Sequence, residues 1–210
     1  MATADLGFVH RYEPGTSGAT LLLLHGTGAD ENDLIPLGRA VAPGAALLSP
    51  RGQVLENGMP RFFRRLAMGV FDVEDLKTRT ADLARFVEAA TAHYRIDPAS
   101  IALVGYSNGA NIGGSLLLSH PGLVRAAALL HAMVPFRPDE VPDLAGTRVL
   151  ITGGASDEMI PRDQTEELAE ILRTAGADVD LTIGPGGHEL SAPELQKVRD
   201  WLGSVAGDAS

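Results

Sequence analysis

Short apolar runs recur along the chain at residues 20–24, 45–48, 101–104, 126–130, 148–152 and 179–183, separated by stretches of helical periodicity. A strand with one wet face alternates apolar and polar side chains, so runs without that alternation suit strands covered on both faces, as in a parallel sheet. Between them, Leu76, Leu83, Val87, Ala90 and Tyr94 form one apolar stripe; Leu168, Ile171, Leu172 and Ala175 form another, ended by Gly176. Leu195, Val198, Trp201, Leu202 and Val205 form a third, opened by Ser191-Ala192-Pro193-Glu194, where serine and glutamate can satisfy each other's free amide groups. This alternation predicts an α/β fold with a mostly parallel central sheet flanked by helices. Ligands in such sheets bind beyond the carboxyl ends of the strands.

With 210 residues, 45% of them hydrophobic, the chain can build one sizeable core and is short for two. A single domain over residues 1–206 is expected, with residues 207–210 as a fraying tail. The net charge of -10 disfavours nucleic acid or an anionic membrane surface as partner, whereas a neutral or cationic small molecule meets no long-range repulsion. The chain has no cysteine, which excludes disulfides, a thiolate nucleophile and a cysteine-rich zinc site, and is compatible with the cytoplasm, where we expect the protein. Residues 1–12 carry Asp5 and lack a basic segment and a long apolar one, so they do not read as a signal peptide. No apolar run approaches the roughly 20 residues that span a bilayer. The sequence leaves oligomeric state open and is compatible with a homodimer.

Gly105-Tyr106-Ser107-Asn108-Gly109 follows the run at 101–104 and opens a helix-like stretch. At a sharp strand-to-helix turn the central serine is forced into a strained backbone conformation, and flanking glycines avoid clashes that larger residues would make. Ser107 is therefore the expected nucleophile. A serine hydroxyl needs a base within hydrogen-bond reach and a carboxylate that orients the base. The run at 148–152 leads into Gly153-Gly154-Ala155-Ser156-Asp157, and the run at 179–183 into Gly184-Pro185-Gly186-Gly187-His188. Asp157 and His188 thus fall at strand ends like Ser107, in the serine, acid, histidine order of α/β-hydrolases. Asp157 could instead cap a helix beginning near Pro161, leaving Glu158 or Asp163 as the acid; His10, His93 and His120 lie outside suitable strand-end loops. Backbone amides should stabilise the oxyanion: that of Asn108, at a helix amino terminus, and that of Thr27, in the loop His25-Gly26-Thr27-Gly28 after the first run.

His25-Gly26-Thr27-Gly28-Ala29-Asp30-Glu31, Ser49-Pro50-Arg51-Gly52, Gly105-Tyr106-Ser107-Asn108-Gly109-Ala110-Asn111, the segment from Asp157 to Pro161 and Gly187-His188-Glu189 together resemble the small bacterial carboxylesterase branch of the phospholipase/carboxylesterase family. The matches extend from residue 21 to 189. The resemblance implies an α/β-hydrolase with a Ser107, Asp157, His188 triad and little or no separate lid domain. The acyl-protein thioesterases look similar but usually have Gln where this chain has Asn108, and the more distant dienelactone hydrolases use a cysteine that this chain does not contain.

Other residues carry two readings. His25 either touches substrate or buttresses the oxyanion loop from behind; His131 either lines the site or is an ordinary satisfied histidine. Residues 52–72 contain Met59, Phe62, Phe63, Leu66, Met68, Val70 and Phe71 without clean periodicity and read as a long irregular connection. Phe62, Phe63, Met68 and Phe71 could form a substrate wall there, or merely cover the sheet. Arg51, Arg61, Arg64 and Arg65 could attract a carboxylate-bearing ester or be paired with the abundant acids. No His/Glu spacing suggests a metal, and no cofactor is required. The expected activity is hydrolysis of a small-molecule carboxylic ester through an acyl-serine. Thioester or lysophospholipase-type cleavage would use the same parts, and a non-catalytic ligand receptor could be built on the same fold.

Overall fold

The computed structural model describes residues 6–207. Its strands are β1 (His10–Glu13), β2 (Thr20–Leu24), β3 (Ala46–Pro50), β4 (Val54–Glu56), β5 (Met59–Arg61), β6 (Arg65–Ala67), β7 (Val70–Phe71), β8 (Ile101–Tyr106), β9 (Ala126–Leu130), β10 (Arg148–Gly154) and β11 (Asp178–Gly184). The helices are α1 (Ile35–Val41), α2 (Val73–Tyr94), α3 (Asn108–Ser119), α4 (Arg162–Thr174) and α5 (Ala192–Gly207). A seven-stranded sheet in the order β1-β3-β2-β8-β9-β10-β11 forms the centre. Every pairing in it is parallel except that of β1 with β3.

The apolar runs have the burial that their lack of alternation requires. Along β2, Leu22 and Leu24 join the core beneath α2, α3 and α4, while Leu21 and Leu23 face the core built with α1 and α5. β8 and β9 divide their side chains in the same way. Neither face is wet, so a polar residue at any of these positions would be desolvated without a partner. The run at 179–183 is different: β11 is one of the sheet's two edge strands and is only partly buried along its length. Asp180 and Thr182 give it an alternation that suits one wet side, and Lys197 pairs with Asp180 at 2.6 Å.

Helix ends follow local chemistry. Asp72 accepts from the Asp75 amide at the start of α2, and Arg95 ends that helix in the left-handed region at φ 58°. In α5 the expected reciprocal cap forms: the Ser191 hydroxyl accepts from the Glu194 amide at 3.3 Å, and the Glu194 carboxylate accepts from the Ser191 amide at 3.2 Å. Gly207 is the last residue of α5 rather than the start of a tail, and 208–210 lie outside the described residues.

Residues 52–72 are not the irregular connection that their lack of periodicity suggested. They form two small antiparallel hairpins, β4 with β5 and β6 with β7. Strands of two or three residues are too short to display a period. The chain passes from β2 through α1 to β3 on one side, then through these hairpins and α2 to β8 on the other side of β2. The reversal places a crevice at the carboxyl ends of β2 and β8, where open α/β sheets hold their ligands.

Candidate active site

The turn from β8 into α3 carries Ser107 at φ 53° and ψ -114°, a strained conformation for a residue with a side chain. Its amide donates to the Leu130 carbonyl at 2.9 Å, which ties the turn to the end of β9. The turn tolerates no side chain beside it. A Cβ on Gly109 would lie 2.0 Å from the Leu24 carbonyl oxygen, and one on Gly105 2.7 Å from the Gly109 oxygen. The flanking glycines let α3 begin directly against β2, and the strain leaves the hydroxyl projecting at the sheet's rim.

Ser107 Oγ lies 2.9 Å from His188 Nε2, and His188 Nδ1 lies 2.8 Å from Asp157 Oδ2. The three side chains come from the loops after β8, β10 and β11, so the structure brings together residues far apart in the chain. Close approach of the last two loops depends on Gly154, where a Cβ would stand 2.2 Å from the Gly187 carbonyl oxygen. Tyr106 donates its hydroxyl to the His188 carbonyl at 2.7 Å and packs its ring 5.4 Å from the imidazole, holding the histidine from below. Burial, with nearby carboxylates, pushes the Tyr106 phenol up to about 12, so it remains a donor.

Asp157 does not cap α4, whose N-cap is Pro161 and takes no side-chain hydrogen bond; it faces His188 and orders the turn before that helix. Oδ1 accepts from the Met159 and Ile160 amides at 2.9 Å each, while Oδ2 is the atom that faces His188. Burial works against its charge, but hydrogen bonds from His188, His131 and these amides hold the carboxyl below its usual range. Glu158 and Asp163 are exposed to solvent and hydrogen-bond to neither histidine.

The Thr27 and Asn108 amides, in the loop after β2 and at the first residue of α3, donate to no acceptor among the described residues. The next amide along, that of Gly28, donates to Pro60 on β5 at 2.8 Å, so the hairpin pins the loop. Beneath it sits His25, fully buried. Its Nδ1 donates to the Gly26 carbonyl at 2.7 Å, and Nε2 accepts from the Gly52 amide at 3.0 Å. That pattern requires a neutral ring, and burial lowers its pKa accordingly. Of its two readings, His25 fits the buttress.

A family model described as phospholipase/carboxylesterase matches residues 13–206. The chain is a member of the phospholipase/carboxylesterase family. It is 47% identical over 192 residues to MhqD of Bacillus subtilis (strain 168), a match covering 91% of this chain and 96% of that one. Among solved structures, the Bacillus cereus carboxylesterase superposes with a TM-score of 0.93 at 44% identity, covering 96% of each chain. The Mesorhizobium loti carboxylesterase superposes at 0.91 with 38% identity, covering 96% of this chain and 97% of that one. The fold is that of the α/β-hydrolases, and the chain is a hydrolase.

In this phospholipase/carboxylesterase family member, His131 is a buried histidine with both ring nitrogens partnered, and one of those partners is Asp157. It follows β9 at φ 55°, is 2% exposed, and presents Nδ1 to the same Asp157 oxygen that His188 uses, at 2.8 Å. Its Nε2 faces the Glu194 carboxylate at 3.3–3.4 Å. Sequence reasoning missed Glu194, whose capping signal accounted for it fully. The convergence of His131, Asp157 and His188 resembles a set of metal donors by composition. Both Nδ1 atoms, however, address one carboxylate oxygen at hydrogen-bond distance, which makes them proton donors.

The wall candidates separate. Phe62 and Phe63 are buried in the core, Phe62 tilted against His25 and Phe63 edge-on to the half-buried Phe71. Met68 is 60% exposed. The exposed apolar side chains of this region are Leu55, Met59, Leu66, Met68 and Val70 on the hairpins, with Met59 against Gly28. The arginines are paired: Arg51 with Glu31 and Asp30, Arg61 and Arg65 with Glu56, and Arg64 with Asp72 and Asp75.

Proposed function

We propose that the protein hydrolyses carboxylic esters of small molecules through an acyl intermediate on Ser107. The observation that carries the reading is the hydroxyl–imidazole–carboxylate line beside two amides that lack an acceptor. His188 Nε2 takes the Ser107 proton as Oγ attacks the ester carbonyl. Negative charge then develops on the carbonyl oxygen, and the Thr27 and Asn108 amides are the donors for it; the α3 amino terminus adds its dipole. His188, now protonated and held by Asp157, gives its proton to the leaving alcohol. Water enters, loses a proton to His188 and attacks the acyl carbonyl, and collapse of that species returns the proton to Ser107.

The exposed apolar side chains on the hairpins suit an uncharged acyl or alcohol group. Arginines already paired with acids offer little to a carboxylate. The absence of cysteine suits work in the cytoplasm. Replacement Ser107→Ala should reduce kcat on p-nitrophenyl esters by about 10⁴-fold or more with the fold intact, and abolish stoichiometric labelling by an organophosphonate. Retained turnover and labelling in that variant would remove Ser107 from the chemistry. Oxygen esters compared with thioesters of equal acyl length on the wild-type protein decide which bond is preferred.

A further inference from the structure

Beyond the three residues just assigned, the hydrogen-bonded line continues into the protein. Asp157 Oδ2 is shared by two imidazoles at 2.8 Å each, and its other oxygen takes two backbone amides, so every interaction at this carboxylate is that of an ionised acceptor. On the far side of His131, Glu194 accepts from the Thr152 hydroxyl and from the Ser191 amide, again the pattern of an ionised acceptor. His131 therefore has a carboxylate before each ring nitrogen. An imidazole can satisfy two acceptor-only partners only when both nitrogens carry hydrogen, which makes the ring a cation.

We propose that His131 is a positioning residue kept as an imidazolium between Asp157 and Glu194, and that this buried charge helps set where activity falls away in acid. The proposal rests on the catalytic reading of His188. The imidazole rings of His131 and His188 lie 5.1 Å apart by their centroids, so a proton on one opposes a proton on the other across the carboxylate they share. Without the inner cation, Asp157 would act on its outer partner with its full charge.

The other groups facing His131 agree with this assignment. Tyr106 on β8 presents its ring edge-on at 5.9 Å, with a phenol neutral in the working range. Thr152 on β10 is uncharged; its hydroxyl donates to Glu194 and its carbonyl accepts from the His131 amide. Glu189 and Asp33 add negative charge on the Tyr106 side, which favours a cation. Burial opposes charge on His131, yet hydrogen bonds from the ring to Glu194 and Asp157 outweigh it and raise its pKa; both carboxyls are correspondingly lowered.

Two substitutions separate charge from shape. Asparagine tolerates the left-handed backbone at 131 and places an amide where Nδ1 stood, so His131→Asn keeps a neutral hydrogen bond to Asp157 while removing the cation. Glutamine serves in a capping box as glutamate does, so Glu194→Gln spares the start of α5 while withdrawing the counter-charge. In pH profiles of kcat/KM on a p-nitrophenyl ester, His131→Asn should move the acid limb upward by about one pH unit. Glu194→Gln should move it in the same direction by less, because the variant also loses a distant anion. The double variant should return to the Glu194→Gln position.

Imidazole ¹⁵N shifts of the resting protein provide a readout that needs no turnover. The His131 ring should be doubly protonated at pH 7 in wild type and neutral in Glu194→Gln. A neutral His131 at pH 7, or acid limbs within about 0.2 pH unit of wild type in the variants that fold, would overturn the proposal. Failure of the catalytic reading looks different: Ser107→Ala would then stay active whatever the charge of His131.

Discussion

His25 is a buried ring beneath the loop whose Thr27 amide is proposed as an oxyanion donor. Its two hydrogen bonds join the Gly26 carbonyl, beside the Thr27 amide, to the Gly52 amide beyond β3. Replacement His25→Ala would leave a buried donor unpaired and open a cavity under the oxyanion loop, costing about 1–3 kcal/mol for the orphaned group. We expect a lower melting temperature together with a kcat reduced more than KM is changed, since a loosened donor affects charge that develops only in the transition state. Unchanged kcat in a destabilised variant would restrict His25 to folding. The hydrogen-bonded line of Ser107, His188 and Asp157, proposed above as a triad, was legible in the sequence because each residue follows the carboxyl end of an apolar run. Glu194 and Tyr106 were not, because their partners lie 63 and 82 residues away and neither breaks a local rule.

At the scale of elements, what could be read from sequence was what burial on both faces imposes. β2, β8, β9 and β10 appear as uninterrupted apolar runs because both their faces are covered. β1 was missed because an antiparallel edge strand reading His-Arg-Tyr-Glu need not be apolar, and α1 because a seven-residue helix containing Pro36 offers neither a side-chain cap nor a full amphipathic period. The hairpins are held by charge instead of by a core of their own. Glu56 accepts from both Arg61 and Arg65, and Arg61 is only 3% exposed. Replacement Glu56→Ala would leave that guanidinium buried and uncompensated. Fully buried pairs lose about 3–5 kcal/mol when one partner is removed; partial exposure of Glu56 reduces the expected loss to about 2–3 kcal/mol. Urea unfolding should show a lower midpoint at unchanged slope, and activity should fall with it, because the same hairpin supplies the Pro60 carbonyl that fixes the Gly28 amide. A midpoint equal to that of wild type would mean that the pair is only a surface contact.

For the whole molecule, two buried histidines give folding opposite dependences on pH over the same interval. His25 has a lowered pKa in the folded state, so the unfolded chain binds more protons there. Its contribution is present above the unfolded value of about 6.5 and declines as the pH drops below it. His131 has a raised pKa, so its contribution is complete below about 6.5 and is lost as pH rises through the folded value. Asp157 and Glu194, both lowered, keep their contributions above the unfolded carboxyl values near 4 and lose them in acid. The sum places greatest stability between these limits, with the two histidines partly cancelling near neutrality. Removing one of them should expose the other. In urea titrations at pH 5.5, 7 and 9, the stability gap between wild type and His131→Asn should be widest at pH 5.5, where the inner imidazolium contributes fully, and narrowest at pH 9. A gap independent of pH would mean that His131 contributes packing alone, because an uncharged ring has no proton to link with folding. That outcome would also leave Asp157 and Glu194 without the cation that lets two carboxylates stay ionised on either side of one ring.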